Sequence, residues 1–262
     1  EGNRPMSQPL YQPPMFIEST DECNFYHTID IPGIGLVEGQ WDLRSHVEEY
    51  LGGFGFRDRR ILEIGPATGF LTFEMEKRGA EVVVVEPPMD REFWNSVPYD
   101  SLGLLHVEGG EWTPSETAFF DHIRMIRNGF WYCHRVYGSR SRMFHGSAER
   151  LPSGLGNFDA ALLTAVLLHT RSPVSILESC ARRVSGSMIV TERHFPELGE
   201  GPVCSLVPTV ENQQWDTWWQ FTPRFFTQFF EVLGFSRHRV TFHTQRAFNH
   251  ELPMFTVVAE RD

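Results

Sequence analysis

The chain has 262 residues, enough for one large domain or a domain with additions. Its formal net charge of −11 suits neither a phosphate backbone nor an anionic surface, so a nucleic-acid substrate is not expected. The four cysteines, Cys23, Cys133, Cys180 and Cys204, lie too far apart for a paired metal-ligand motif and read as reduced thiols, and no apolar run is long enough to span a membrane.

Residues 1 to about 20 are rich in Pro and Gln and are expected to form a mobile arm. Phe25-Tyr26-His27-Thr28-Ile29-Asp30 then combines aromatics, a histidine and an acid, and Pro32-Gly33-Ile34-Gly35 follows as a turn. From Trp41 an amphipathic helix is expected, with Leu43, Val47, Tyr50 and Leu51 on one face and Gly52-Gly53 ending it. Residues 1–55 are thus read as an arm and covering helix, and 56–262 as the main domain.

Arg60 to Ile64 is an apolar run that carries Glu63 and ends at Gly65-Pro66-Ala67-Thr68-Gly69. A helix follows from Phe70 to Arg78, closed by Gly79 as a left-handed cap closes one. Glu81-Val82-Val83-Val84-Val85-Glu86 is a second strand ending in an acid. Strand, glycine turn, helix, strand, acid opens a doubly wound nucleotide-binding sheet. Gly65 and Gly69 permit close backbone approach to a ligand. Glu86, about 20 residues beyond the first glycine, stands where a carboxylate accepts both hydroxyls of a ribose. A dinucleotide turn wants G-x-G-x-x-G facing a pyrophosphate. Here Glu63 precedes the turn, Ala67 takes the middle position, and an acid at the strand end suits an amino group better than a pyrophosphate.

Pro87-Pro88-Met89 places apolar surface beside that acid, fit for an adenine face. The connection from Asp90 to Glu116 is long for this kind of fold, an insertion at about 88–118, and carries Trp94, Tyr99 and Trp112. Phe119 to Tyr137 has helical spacing, with Trp131 in the stripe. Arg142 to Ala148 reads as a third strand and Phe158 to Thr164 as a fourth. His169 follows in Leu167-Leu168-His169-Thr170-Arg171-Ser172-Pro173. Val174 to Val184 is a helix, and Ser187 to Glu192 a fifth strand with Glu192, Arg193 and His194 at its carboxyl end. After a loop-like stretch and the aromatic cluster Trp215 to Trp219, Thr222-Pro223 starts a helix to Leu233. Arg239 to Gln245 and Phe255 to Glu260 form an edge hairpin around a loop at Asn249 to Pro253.

From about Tyr26 to Glu260 these features resemble class I S-adenosylmethionine (SAM)-dependent methyltransferases. The likeness rests on LEIGPATGF at 62–70, on the segment at Ser147, and on LLHTRSP at 167–173. More distantly, with His27-x-x-Asp30 and Trp41-Asp42-Leu43-Arg44, the chain resembles the group of tRNA wobble-uridine carboxymethyltransferases. The fold this implies is α/β, a Rossmann-like seven-stranded, mostly parallel sheet with an antiparallel C-terminal edge hairpin and helices on both faces. The resemblance implies SAM contacts at Glu63, Gly65, Pro66, Ala67, Thr68, Gly69, Phe70, Glu86, Pro87, Ser147, Ala148, Glu149, Thr164 and Ala165, with S-adenosylhomocysteine (SAH) as the product. Ser147 stands where these families usually carry Asp or Asn.

SAM needs alignment with its acceptor and, for a hydroxyl or amine acceptor, removal of one proton. His169, which would face the methyl, is the first candidate base; His27 and His194 come next. Tyr26, Asp30, Trp94, Trp131 and Arg171 are candidate acceptor contacts, the aromatics through attraction for a cationic group. The histidines form no obvious metal triad, so metal-independent transfer is expected. The expected partners are a small-molecule acceptor and a second copy of the chain in a homodimer, in the cytoplasm and away from membranes. An RNA acceptor, a SAM-binding protein without catalysis and a nicotinamide-linked oxidoreductase are the alternatives.

Overall fold

A computed structural model describes residues 9–89, 116–209, 211, 212, 214 and 216–262 of the protein. A short hairpin, β1 (Ile29–Ile31) and β2 (Gly35–Val37), and a two-residue strand β3 (Trp41–Asp42) precede helix α1 (Val47–Tyr50). The alternating core runs β4 (Arg60–Ile64), α2 (Phe70–Lys77), β5 (Glu81–Glu86), α3 (Glu116–Tyr137), β6 (Arg142–His145), β7 (Phe158–Thr164), α4 (Pro173–Ala181) and β8 (Val184–Arg193). A small hairpin of β9 (Cys204–Leu206) and β10 (Trp219–Phe221), helix α5 (Pro223–Val232) and the long strands β11 (Arg237–Ala247) and β12 (His250–Glu260) complete the chain.

The main sheet has the order β3-β11-β12-β8-β7-β4-β5-β6. Strands β6, β5, β4, β7 and β8 are parallel neighbours, and β12 runs antiparallel between β8 and β11. This is the expected seven-stranded arrangement, with β3 added as an eighth strand on the outer edge of β11. The order reverses at β4, which leads outward through β5 and β6 before the chain crosses to β7 and β8. A crevice opens at such a reversal, beyond the carboxyl ends of the strands.

The runs in β5 and β7 are apolar throughout because both sheet faces are covered. Val82 to Val85 are each at most 1% exposed, and so are Ala160 to Leu163. One core joins Tyr50, Phe70, Phe73 and Phe130 to one face; the other joins Ile176, Leu177, Phe226 and Phe230 to the opposite face. Burying such a side chain contributes about 1.5–3 kcal/mol. Residues ahead of β4 enter the first core too, with Ile29, Ile31, Trp41, Leu43 and Phe56 buried in it.

Four expectations need correction. The helix expected from Trp41 does not begin there: Trp41 and Asp42 pair with Ala247 and Arg246, a distant partner that overrides local periodicity. The Asp42 carboxylate then accepts from the Arg44 amide at 3.2 Å, and only Val47–Tyr50 is α-helical. The described part of the N-terminal arm is docked, with the Gln12 amide donating to the Met143 carbonyl at 2.8 Å and Ile17 5% exposed. The third strand stops at His145, because Ser147 caps a 3-10 turn over Ala148–Arg150. The closing hairpin is tighter than expected. Its turn is Phe248-Asn249, both at positive φ (50° and 62°), and Pro253 lies within β12 opposite Thr244.

Candidate functional site

The carboxyl ends of β4, β5, β6 and β7 carry the residues that the sequence singled out. The turn after β4 is built by conformation. Gly65, Ala67 and Gly69 all have positive φ, 71°, 48° and 85°. Ala67 bears that conformation without glycine's freedom, at some cost in strain. A Cβ on Gly69 would meet the rings of Phe73 and Phe130 at 2.7 and 2.8 Å, so helix α2 can start here only on a glycine. The Gly65 amide donates to the Val85 carbonyl at 3.0 Å, tying the turn to the end of β5.

Within the turn, Gly65 and Ala67 are half-buried, whereas Pro66, Thr68, Gly69 and Phe70 are buried. Thr68 turns inward: its hydroxyl accepts from the His27 amide at 3.3 Å. Phe70 joins the core, tilted against the His27 ring at 6.0 Å. Glu63 also faces inward. Its carboxyl accepts from the Thr72 hydroxyl at 2.5 Å, and burial pushes its pKa up to about 8 despite that bond. Glu63, Thr68 and Phe70 therefore support the turn from below.

Glu86 ends β5 with its side chain 14% exposed. Burial raises its pKa to about 7, opposed by the Arg127 guanidinium, which stands 3.8 Å away. That distance is too long for a hydrogen bond. Arg127 instead donates to the Pro87 carbonyl at 2.6 Å and so holds the chain beyond β5. The Gly146 amide donates to the Glu86 carbonyl at 3.1 Å, which brings Ser147, Ala148 and Glu149, all half-buried, beside Glu86. The Ser147 hydroxyl accepts from the Glu149 amide at 3.2 Å.

On the other side of β4, β7 ends at Thr164, near Tyr50, whose hydroxyl pKa burial pushes far up. Ala165 takes a positive φ of 46°, and its amide donates to the Thr191 carbonyl at 2.8 Å. A 3-10 turn over Leu167–His169 follows. Nδ1 of His169 is hydrogen-bonded to the carbonyl of Asp216. A carbonyl only accepts, so Nδ1 carries the proton and Nε2 of the neutral ring keeps its lone pair. The segment at β10 lies over this turn, with the Trp218 amide donating to Leu168 at 2.7 Å and the Trp219 indole to Thr170 at 2.8 Å. Arg171, exposed, stacks over Trp218 at 5.5 Å.

The other candidates are placed elsewhere. His27 is 7% exposed, against Tyr26 at 5.1 Å, and burial drives its pKa down to about 3. It stays neutral and braces Thr68. Asp30 is exposed on β1, and its carbonyl accepts from Tyr137. Tyr26 is half-buried, its hydroxyl pKa raised to about 12 by burial. Trp131 is 1% exposed and packs between Phe130 and His134, so it is core rather than an acceptor contact. His194 lies edge-on to Phe242 at 4.8 Å. It borders a separate cavity of about 490 Å³ walled by Pro223, Thr227 and Val240, away from the glycine turn. Trp94 lies outside the described residues.

Sequence reasoning gave no role at the site to Arg127, Thr72 or Asp216, and placed Tyr50 only on the face of the helix expected from Trp41. Their contacts are ones that no local pattern encodes. Among the described residues no three His, Cys, Asp or Glu side chains gather as metal ligands, and no helix is long and apolar enough to cross a membrane.

No protein-family model matches the chain, and no curated protein does. Solved structures do. The N-terminal domain of EvdMO1, crystallised in the presence of SAH and D-fucose, aligns over 92% of this chain and 93% of its own, at 19% identity and a TM-score of 0.55. Whole EvdMO1 aligns over 92% of this chain but 45% of its own, at 17% identity and a TM-score of 0.54. Magnesium protoporphyrin IX methyltransferase from Synechocystis PCC 6803, with bound SAH, aligns over 84% of this chain and 81% of its own, at 14% identity and a TM-score of 0.51. At these identities the likeness is one of fold, a Rossmann-like α/β fold.

Proposed function

We propose that this chain is a SAM-dependent methyltransferase acting on a small-molecule acceptor through an oxygen or nitrogen nucleophile. The observation that carries this reading is the pairing of two features at one rim. A turn with three positive-φ residues in five stands beside a strand-end carboxylate that Arg127 approaches only to 3.8 Å. A half-buried acid with no side-chain hydrogen bond among the described residues is what two ribose hydroxyls would fill, and the half-buried Gly65 and Ala67 present the backbone a nucleoside needs. The fold shared with two proteins crystallised with SAH agrees. The net charge of −11 favours a small acceptor over RNA.

Bound SAM supplies a methyl group already activated by its sulfonium. Glu86 would grip the ribose, Pro87 and the Ser147–Glu149 segment would flank the adenine, and Thr164 and Ala165 would lie beside the methionine portion. The Leu167–His169 turn would border the acceptor, with Tyr26, Trp218 and Arg171 nearby. Holding the nucleophile in line contributes up to about 7–11 kcal/mol in favourable systems. His169, its Nδ1 proton committed to Asp216, would take the acceptor's proton on Nε2, worth roughly 10²–10⁴-fold in rate.

Calorimetric titration with SAM, SAH, NADH and NADPH tests the reading. Binding of SAM and SAH alone is the expected result. Binding of a nicotinamide nucleotide in their place would replace it with an oxidoreductase.

A further inference from the structure

Glu192 is a buried acid that the proposed reaction leaves unused. It sits at the end of β8 with 2% of its surface exposed, and among the described residues it has no ion-pair partner. A carboxyl group in that position is costly unless hydrogen bonds compensate. One does: its Oε1 accepts from the Leu167 amide at 3.2 Å. This is the first amide of the turn that carries His169, and such an amide has no partner within the turn itself.

The same turn is fixed elsewhere too. Upstream, Ala165 donates to Thr191, the residue before Glu192. Above, Trp218 donates to Leu168, and His169 binds the Asp216 carbonyl. The turn is therefore held at two successive residues, at the Leu167 amide by Glu192 and at the Leu168 carbonyl by Trp218. The His169 ring can reach Asp216 only while that backbone stays in place.

We propose that Glu192 is a positioning residue: its carboxyl locks the Leu167–His169 turn so that the imidazole keeps its proton on Nδ1 and offers Nε2 to the acceptor. The role of the imidazole rests on the methyl-transfer reading; the coupling between the two side chains does not.

The test uses the full chain labelled with ¹⁵N-histidine, the His169 signals being assigned by their loss in His169→Gln. In the wild type the ring nitrogens should report the Nδ1–H form. Glu192→Gln, which keeps an acceptor oxygen, should preserve it. Glu192→Leu should give a mixture of both ring forms, and the Leu167 amide should exchange with solvent roughly tenfold or more faster. Glu192→Asp, one methylene shorter, serves if the leucine variant does not fold, and should loosen the same amide. Unchanged ring protonation and unchanged exchange in Glu192→Leu, or unchanged exchange in Glu192→Asp, would overturn the proposal. SAH titration of the same proteins keeps the two claims apart: a wild type that fails to bind SAH sinks the methyl-transfer reading, whereas the coupling stands or falls on the imidazole signals.

Discussion

Arg127 approaches Glu86 to 3.8 Å at the end of β5 yet hydrogen-bonds the Pro87 carbonyl instead. The cation is close enough to favour the ionised carboxylate and too far to occupy its lone pairs. Glu86→Ala should therefore weaken SAH binding by at least tenfold, since each hydrogen bond to a charged group is worth about 1.5–3 kcal/mol. Titration calorimetry reads this directly, and an unchanged affinity would remove Glu86 from the ribose.

The same pair gives the binding a pH dependence. Burial holds the Glu86 pKa near 7 in the free protein. Ribose hydroxyls donate best to the ionised form, so SAH affinity should climb as pH rises through about 7 and level off above it. The limiting slope below that point is about tenfold per pH unit. In Glu86→Gln the profile should be flat across this window.

Glu63 predicts an opposite trend in stability. Its folded pKa, about 8, lies above the ordinary 4.5, so the folded state binds the extra proton. Stability from this group is present below the unfolded value and is lost as pH rises from about 4.5 through about 8, on the order of a few kcal/mol at most. Glu63→Gln, with an amide oxygen still able to accept from Thr72, should flatten that part of the urea-denaturation profile. A wild-type curve that rises over this range, with the glutamine variant following it, would count against a protonated Glu63.

Gly69→Ala puts a methyl group within 2.7–2.8 Å of two packed rings at φ +85°. Left-handed strain costs about 1–2 kcal/mol and overpacking about 1–3 kcal/mol more. The melting temperature should fall by several degrees and SAH binding should weaken with it. A melting temperature equal to the wild type would mean that the turn relaxes freely.

His169→Ala should keep SAH affinity within a few-fold and lose roughly 10²–10⁴ of methyl transfer. The measurement is single-turnover transfer from radiolabelled SAM into a metabolite extract that the wild type methylates. Transfer at the wild-type rate would eliminate the imidazole as base.

What could be read in advance follows the range of the interactions. β5 and β7 have the bounds that their apolar runs suggested, because strands covered on both faces show as continuous runs. Helix α5 begins where Thr222 and Pro223 announced it, and the Thr222 side chain accepts from the Phe225 amide. Gly65 and Glu86 were legible because one turn and one helix separate their strand ends. Trp41 was misread because its partner, Ala247, lies at the far end of the sequence. Trp131 looked available and is buried, and His27 looked reactive and braces Thr68: side-chain type does not say which neighbour arrives. Ala67 is the exception, a residue that weakened the glycine pattern and yet adopts the left-handed conformation.

The segment ahead of β4 touches the main sheet at both extremes. Gln12 bridges to β6 on one margin, and Trp41 and Asp42 pair with β11 on the other. Between them, His27 rests on the glycine bend. Synthesis makes this stretch early, but its last docking place exists only once residues 246 and 247 have been made. Closing so long a loop carries an entropic cost that only an already assembled sheet can repay. A chain halted before the final hairpin would thus lack the partner strand on which Trp41 and Asp42 settle.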